Sequence, residues 1–204
     1  MSYIYEKDGF QFRIATDDEI PVIQKLRYEI FGVGSGFLDE KECPEHLDID
    51  CFDPYSTTLL AFKDEKIAGF CRMTFDNPCE GCYVEKFFHI PEPPVNRNSV
   101  AEVNRFCILP QHRDSLSNKA ITMGLFYMLS YEAHKKDITC VYFCVHKSFL
   151  LILKRMGVPA DIIDGYKAKE YKGYYEKYFD PGDVIPLIVN VEKFKDFSGF
   201  GMQS

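Results

Sequence analysis

The chain has 204 residues, of which 46% are hydrophobic and 27% charged, with a formal net charge of −7. That is enough apolar material for one well-filled core, so a single domain over residues 1–204 is expected. A pI near 5.3 with no Lys/Arg-rich block argues against generic nucleic-acid binding. No apolar run approaches the ~18 residues of a membrane span, and the first residues lack the layout of a secretory signal, so no stable membrane insertion and a cytoplasmic location are the expectations.

In chain order, FQFRIA (10–15) alternates and reads as a first strand. Thr16 and Glu19 have capping-box spacing and open a helix with Ile20, Ile23, Leu26, Ile30 and Phe31 on one stripe, ending near Gly32. Residues 32–56 form a connection rich in Gly, Pro and acidic residues. A loop of that length in a compact domain is usually a binding element or disordered. TTLLAF (57–62), the turn KDEK and IAGFCRMTF (67–75) read as a hairpin. An irregular excursion, 76–99, leads to a strand at 100–109 closed by Pro110. Residues 117–136 predict a helix that is apolar nearly all round, 138–145 a central strand, and 147–156 a short helix ended by Gly157. A Tyr- and Lys-rich segment (166–179) precedes a last strand, 184–191. This order fits an α/β (α+β) class with a mixed sheet flanked by helices on both faces.

Eight cysteines in a chain that is neither small nor visibly secreted do not suggest disulfides. Cys71, Cys107, Cys140 and Cys144 lie in apolar runs and read as small buried hydrophobes. Cys79 and Cys82 form a C-x-x-C, but no second pair supplies the four ligands of a structural zinc, so no metal is expected. There is no Walker loop, G-x-G-x-x-G or G-x-S-x-G elbow, and His46, His89, His112 and His146 show no ligand spacing.

The strand at 101–109, AEVNRFCIL, carries Glu102 and Arg105 in an otherwise buried pattern. Residues three apart on a regular strand face opposite sides, so either one of them meets solvent or a bulge re-aims a side chain; we expect a bulge between Glu102 and Cys107. Other charges stand in comparable places. Arg27 and Phe31 share a helix face, Asp48, Asp50 and Asp53 lie in the long loop, and Arg72 sits in mid-strand. Paired charges pinning the loop to the sheet are one reading of this set, and a substrate site is the other.

The ordered motifs LRYEIF, DIDCFD, GFCRMTF and EVNR resemble the autoinducer-synthase-like branch of the GNAT acyltransferases, which holds acyl-homoserine-lactone synthases and N-acyl amino acid synthases. The family pattern is L-R-x-x-x-F, E-x-D-x-[FY]-D, a mid-strand Arg and E-x-x-R. Arg27, Phe31, Asp50, Phe52, Asp53, Arg72, Glu102 and Arg105 match it, with Asp48 where Glu is usual. Gly34 and Phe37 stand where lactone synthases carry a basic residue and a Trp, which favours the N-acyl amino acid synthase branch. QHRDSLSNKA lacks the R-x-x-G-x-G/A loop that holds coenzyme A pyrophosphate in ordinary GNAT enzymes.

The resemblance implies a GNAT-like three-layer fold with a V-shaped cleft. It also implies transfer of a fatty acyl group from an acyl-carrier-protein or CoA thioester to an amine, with no resident cofactor. Glu102 and Arg105 would be catalytic, Glu102 as general base. Arg27, Phe31, Phe37, Asp50, Asp53 and Arg72 would bind substrate or order the loop over it. Met123, Phe126, Phe143, Phe149 and Ile152 would line the acyl slot, and Lys147, Lys154 and Arg155 would dock an acidic carrier protein. An acyl-homoserine-lactone synthase using S-adenosylmethionine and a noncatalytic acyl-binding module are the alternatives.

Overall fold

Asp8 and Gly9, both at positive φ (53° and 77°), form a tight turn joining β1 (Ile4–Lys7) to β2 (Phe10–Ile14). The strand expected at 10–15 is therefore the second, and the overlooked signal was the Asp-Gly pair itself. A computed structural model of the chain describes residues 3–93, 95–179 and 182–193. The Glu19 carboxylate accepts from the Thr16 N–H at 2.8 Å and thereby opens α1 (Ile20–Arg27). The chain then coils on in wider π-type turns over Tyr28–Gly34.

The expected hairpin is β3 (Ser56–Lys63) and β4 (Lys66–Phe75), turned through Asp64 and Glu65 at positive φ. The excursion that follows holds α2 (Val84–Phe87) and β5 (Phe88–His89), before β6 (Val100–Ile108). Next come α3 (Ser115–Lys135), β7 (Cys140–His146) and α4 (Lys147–Arg155), after which Gly157 turns at φ 80°. Two short strands absent from the sequence reading, β8 (Ala160–Ile162) and β9 (Lys167–Ala168), precede α5 (Glu176–Phe179) and β10 (Val184–Asn190). They carry too few residues to show a period.

The main sheet runs β1-β2-β3-β4-β6-β7-β10-β8, and β5 pairs with β9 apart from it. Its pairs are antiparallel except β6 with β7, whose parallel alignment requires the long crossover that α3 provides. On β3, Leu59 and Ala61 face α3 while Leu60 faces α1, so both sides of the strand are covered and the run reads as continuously apolar. This is the mixed, helix-flanked α/β architecture that the element order predicts. Parallel pairing of β6 and β7 stops after Val103 and Phe143, whereas β7 stays paired with β10 as far as His146. Beyond that point the two strands part, and a wedge opens in the sheet.

α3 lies close on the sheet because of one missing side chain. A Cβ on Gly124 would run into the ring of Phe12, which is itself fully buried. Gly124→Ala should therefore lower stability by about 1–3 kcal/mol in urea melts, although alanine is the better helix former.

Candidate active site

A bulge decides which way Arg105 points. Arg72 pairs with Asn104 and Phe70 with Cys107, so β6 places two residues, Arg105 and Phe106, opposite the single Cys71. Ala101 and Val103 face the α3 core, and a regular strand would send Arg105 there too. Instead Arg105 adopts φ 53° and turns to the opposite side, that of Glu102 and Asn104. A left-handed non-glycine residue costs roughly 1–2 kcal/mol, so the guanidinium's bonds must offset it.

Those bonds close a ring of six charges, Arg27, Asp48, Arg72 and Arg105 buried and Asp50 and Asp53 half-buried. Arg27 Nε meets Asp48 at 3.2 Å, and Asp48 meets Arg105 Nε at 2.9 Å. Arg105 Nη2 meets Asp50 at 2.9 Å, and Asp50 meets Arg72 Nη1 at 2.7 Å. Arg72 reaches Asp53 at 2.8 Å, and Asp53 returns to Arg27 at 2.9 Å. Further bonds bind the ring to its surroundings. Arg27 Nη2 donates to the Asp48 carbonyl, Arg72 Nε donates to Asn104 at 2.7 Å, and the Tyr174 and Tyr175 hydroxyls donate to Asp48 at 2.9 and 2.8 Å. Burial pushes the aspartates up, but the guanidinium groups outweigh it. Asp48 lies well below the usual carboxylate range, Asp50 at about 2, and Asp53 is lowered as well. These bonds pin the loop to the sheet, which is the first of the two readings of these charges. Arg27, Asp50, Asp53 and Arg72 lie behind the cavity wall and hold the long loop against α1, β4 and β6, while Arg105 alone of the ring reaches the cavity.

The cavity occupies the wedge between β6 and β7, with a volume of about 370 Å³. Of the residues singled out from sequence, Phe31, Phe37, Glu102, Arg105, Phe126, Phe143 and Phe149 line it. Met123 and Ile152, expected in the acyl slot, do not. Met123 is half-buried on α3 away from the wedge, and Ile152 is 46% exposed on the outer side of α4. The apolar lining was legible as residue type, but not which turn of each helix faces the gap. Lys147, Lys154 and Arg155 are exposed on α4; none of the three lines the cavity, and Lys154 lies beside a separate groove.

Several wall residues escaped the sequence reading. Tyr175, Tyr178 and Phe179 come from the Tyr-rich segment, and Tyr178 Oη donates to the Cys144 carbonyl at 3.3 Å, on the strand edge that the wedge leaves unpaired. Cys144, expected as plain core, lies in the wall. At the rim His146 Nδ1 meets Asp183 at 2.7 Å. Only tertiary packing joins these positions, although the Tyr-rich composition was a signal.

Glu102 is fully buried, and its Oε2 accepts from the Val84 N–H at 2.7 Å. Among the described residues Oε1 has no hydrogen-bond partner, and Tyr83 Oη shares that condition. A buried polar atom left unpaired costs about 1–3 kcal/mol. Burial pushes the Glu102 carboxyl up to about 8, against the pull of the Val84 N–H, Arg72, Asn104 and Arg105. Below pH 8 it is therefore mostly neutral, and above it a carboxylate. Arg105 Nη1 carries no hydrogen bond among the described residues, and the guanidinium packs 3.9 Å from the centre of the Tyr175 ring.

All eight thiols are free. Near the C-x-x-C, Asp76, Cys82 and Glu85 bring potential ligand atoms within 4.8 Å of one another. Arg97 already supplies the positive charge there, at 2.5 Å from Asp76 and 2.6 Å from Glu85.

The strands that part around an apolar wedge, with a charged loop bound across one side, belong to a mixed, helix-flanked sheet of GNAT-like fold. Residues 26–122 match the family model described as acetyltransferase (GNAT) domain. The chain is an acyltransferase of GNAT fold. Among solved structures it is similar to the acyl-homoserine-lactone synthase LasI, with TM-score 0.64 and 17% identity over 94% of this chain and 91% of that one. It is also similar to BjaI, a CoA-dependent acyl-homoserine-lactone synthase seen with S-adenosylmethionine and isopentyl-CoA, with TM-score 0.59 and 16% identity over 92% of this chain and 84% of that one. FeeM, an N-acyl amino acid synthase from uncultured soil microbes, aligns with TM-score 0.56 and 14% identity over 96% of this chain and 95% of that one. A search of curated proteins gave no match.

Arg105→Ala leaves Asp48 and Asp50 short of a buried partner, so it should cost about 3–5 kcal/mol in urea melts. The depressed aspartates contribute stability that is present above pH ~4 and lost as pH falls through their folded values. Near-UV circular dichroism should accordingly show the tertiary signal failing between pH ~4 and ~2.

Proposed function

We propose that the chain is an N-acyltransferase that moves a fatty acyl group from a carrier-protein or CoA thioester to the amine of an amino acid-like acceptor, as an N-acyl amino acid synthase does. The observation that carries this reading is the apolar wedge between β6 and β7 with Glu102 in its wall, one of whose carboxyl oxygens, Oε1, is buried and unpaired among the described residues. The wedge suits an acyl chain, and Glu102 suits the proton that the amine must lose.

In this reading the neutral amine attacks the thioester carbonyl directly, with no enzyme nucleophile and no resident cofactor. Glu102 takes the amine proton, directly or through a water. The parted strand edge and the bulge at Arg105 offer backbone donors to the developing oxyanion. Arg105 Nη1 is available to a substrate carbonyl or acceptor carboxylate, and the rest of the ring keeps that guanidinium in place. Phe37, in the cavity wall, stands where the lactone synthases carry Trp, which favours an acceptor other than S-adenosylmethionine. Lys147, Lys154 and Arg155, with Leu151 and Ile152 exposed among them, form a basic and apolar face suited to an acidic acyl carrier protein in the cytoplasm. BjaI is CoA-dependent, which supports a CoA thioester as the alternative donor.

The fold likeness to LasI and BjaI supports a second reading, an acyl-homoserine-lactone synthase. Acyl thioesters of carrier protein and of CoA, offered with a panel of amino acids and then with S-adenosylmethionine, separate the two by product mass. An N-acyl amino acid supports the first reading and a homoserine lactone the second. Thioester binding without product with any acceptor leaves a noncatalytic acyl-binding module.

The Glu102 pKa supplies a further check. Turnover should rise with pH to about 8 and level off above it, and Glu102→Gln should lower it by about 10²–10⁴-fold and flatten the profile. Because the folded-state value lies above the reference of 4.5, the folded chain binds more protons than the unfolded, and the carboxyl costs stability as pH rises from 4.5 to 8. Glu102→Gln should therefore resist urea better than wild type at pH 9 while working worse.

A further inference from the structure

The wall that holds Glu102 contains a second polar side chain without a partner among the described residues, and no sequence motif marks it. Tyr83 is 5% exposed, lies just before α2 and lines the cavity. Among the described residues its hydroxyl, itself closed to solvent, has no hydrogen-bond partner. The next residue, Val84, gives its N–H to Glu102 Oε2, so Tyr83 and Glu102 are tied together by the same short segment.

The ring of Tyr83 is fixed on three sides. Phe52 meets it edge-on at 5.2 Å and Phe87 at 5.0 Å, and the Arg105 guanidinium lies 5.1 Å from its centre. Phe52 and Arg105 are themselves held, the first fully buried and the second tied into the charge ring. A hydroxyl unpaired at rest and carried on an immobile ring has the properties of a preorganised donor. Its hydrogen bond is kept for a charge that exists only during reaction.

Resting on the acyl-transfer reading above, we propose that Tyr83 is a catalytic residue whose hydroxyl donates a hydrogen bond to the acyl oxygen as the tetrahedral intermediate forms. The amine lone pair makes the C–N bond, and the carbonyl pair moves onto oxygen, where Tyr83 O–H meets it. The pair then returns and the C–S bond breaks, its electrons leaving on sulfur. The amine proton passes to Glu102 and from there to the thiolate, giving amide and free thiol. Tyr83 keeps its proton throughout. Burial holds the phenol well above its ordinary value near 10, whereas a thiol lies near 8.5, so transfer from Tyr83 to the thiolate would run uphill.

Tyr83→Phe removes the hydroxyl and nothing else, and thiol release together with amide mass on the same thioester and amino acid panel reads the result. The expected outcome is a kcat lower by about 10²–10³-fold, KM for the thioester little changed, and a melting temperature equal to or above wild type. A kcat within twofold of wild type overturns the proposal. A fall in kcat accompanied by a fall in melting temperature assigns Tyr83 a structural role and also overturns it, unless 3-fluorotyrosine at position 83, which alters O–H acidity without altering packing, changes kcat at unchanged melting temperature. Failure of the wild-type chain to form amide or lactone from any thioester overturns the acyl-transfer reading and this one with it. An active wild type with an equally active Tyr83→Phe overturns this one alone.

Discussion

The structure depends on a closed ring of alternating charge: Arg27, Asp48, Arg105, Asp50, Arg72, Asp53 and back to Arg27. Three guanidinium groups and three carboxylates sum to zero, which is the condition for burying so many ions together. An apolar cluster of equal volume could be as stable, but it would not specify which loop residue meets which strand. The ring does specify it. It fixes the loop to α1, β4 and β6 at once, and it keeps Arg105 in a left-handed conformation that the residue would not adopt unaided.

Two consequences for the cavity follow from that constraint. The bulge that lets Arg105 join the ring lies where β6 leaves β7, so the bend in the strand and the opening of the wedge are parts of one deformation. Asp48 also accepts from Tyr174 and Tyr175, so the carboxylate that binds α1 to β6 also anchors the aromatic segment covering the wedge. Tyr178 completes that cover by meeting the Cys144 carbonyl on the parted edge. Stability and cavity shape are thus coupled through one buried aspartate.

The motif that resembles the autoinducer-synthase-like enzymes takes on a physical meaning. Most of its charged members bind each other, and only Glu102 and Arg105 also reach the cavity. Such a pattern therefore records mainly how a loop is locked to a sheet. In the proposed reading the chemistry falls to the few wall atoms without partners among the described residues, chiefly Glu102 Oε1.

The amino-acid sequence alone determined the periodic elements, because α3, β3, β4, β6, β7 and β10 each carry enough buried residues to show a period or an unbroken apolar run. The parity of Glu102 and Arg105 was also legible, since two charges three apart in a strand demand either solvent or a bulge. The brief strands β8 and β9 were not legible, because a two- or three-residue segment has no period, and β1 was announced only by its Asp-Gly turn. Tertiary structure alone decided that six charges from four segments close on one another. It also decided that Met123 and Ile152 miss the wedge while Tyr83, Tyr175 and Tyr178 enter it. These outcomes depend on distances between residues as far apart in sequence as Asp48 and Tyr175, and spacing along the chain does not encode them. The strand at 101–109 is where the two levels meet: its sequence posed the conflict, and a ring of partners drawn from elsewhere in the chain resolved it.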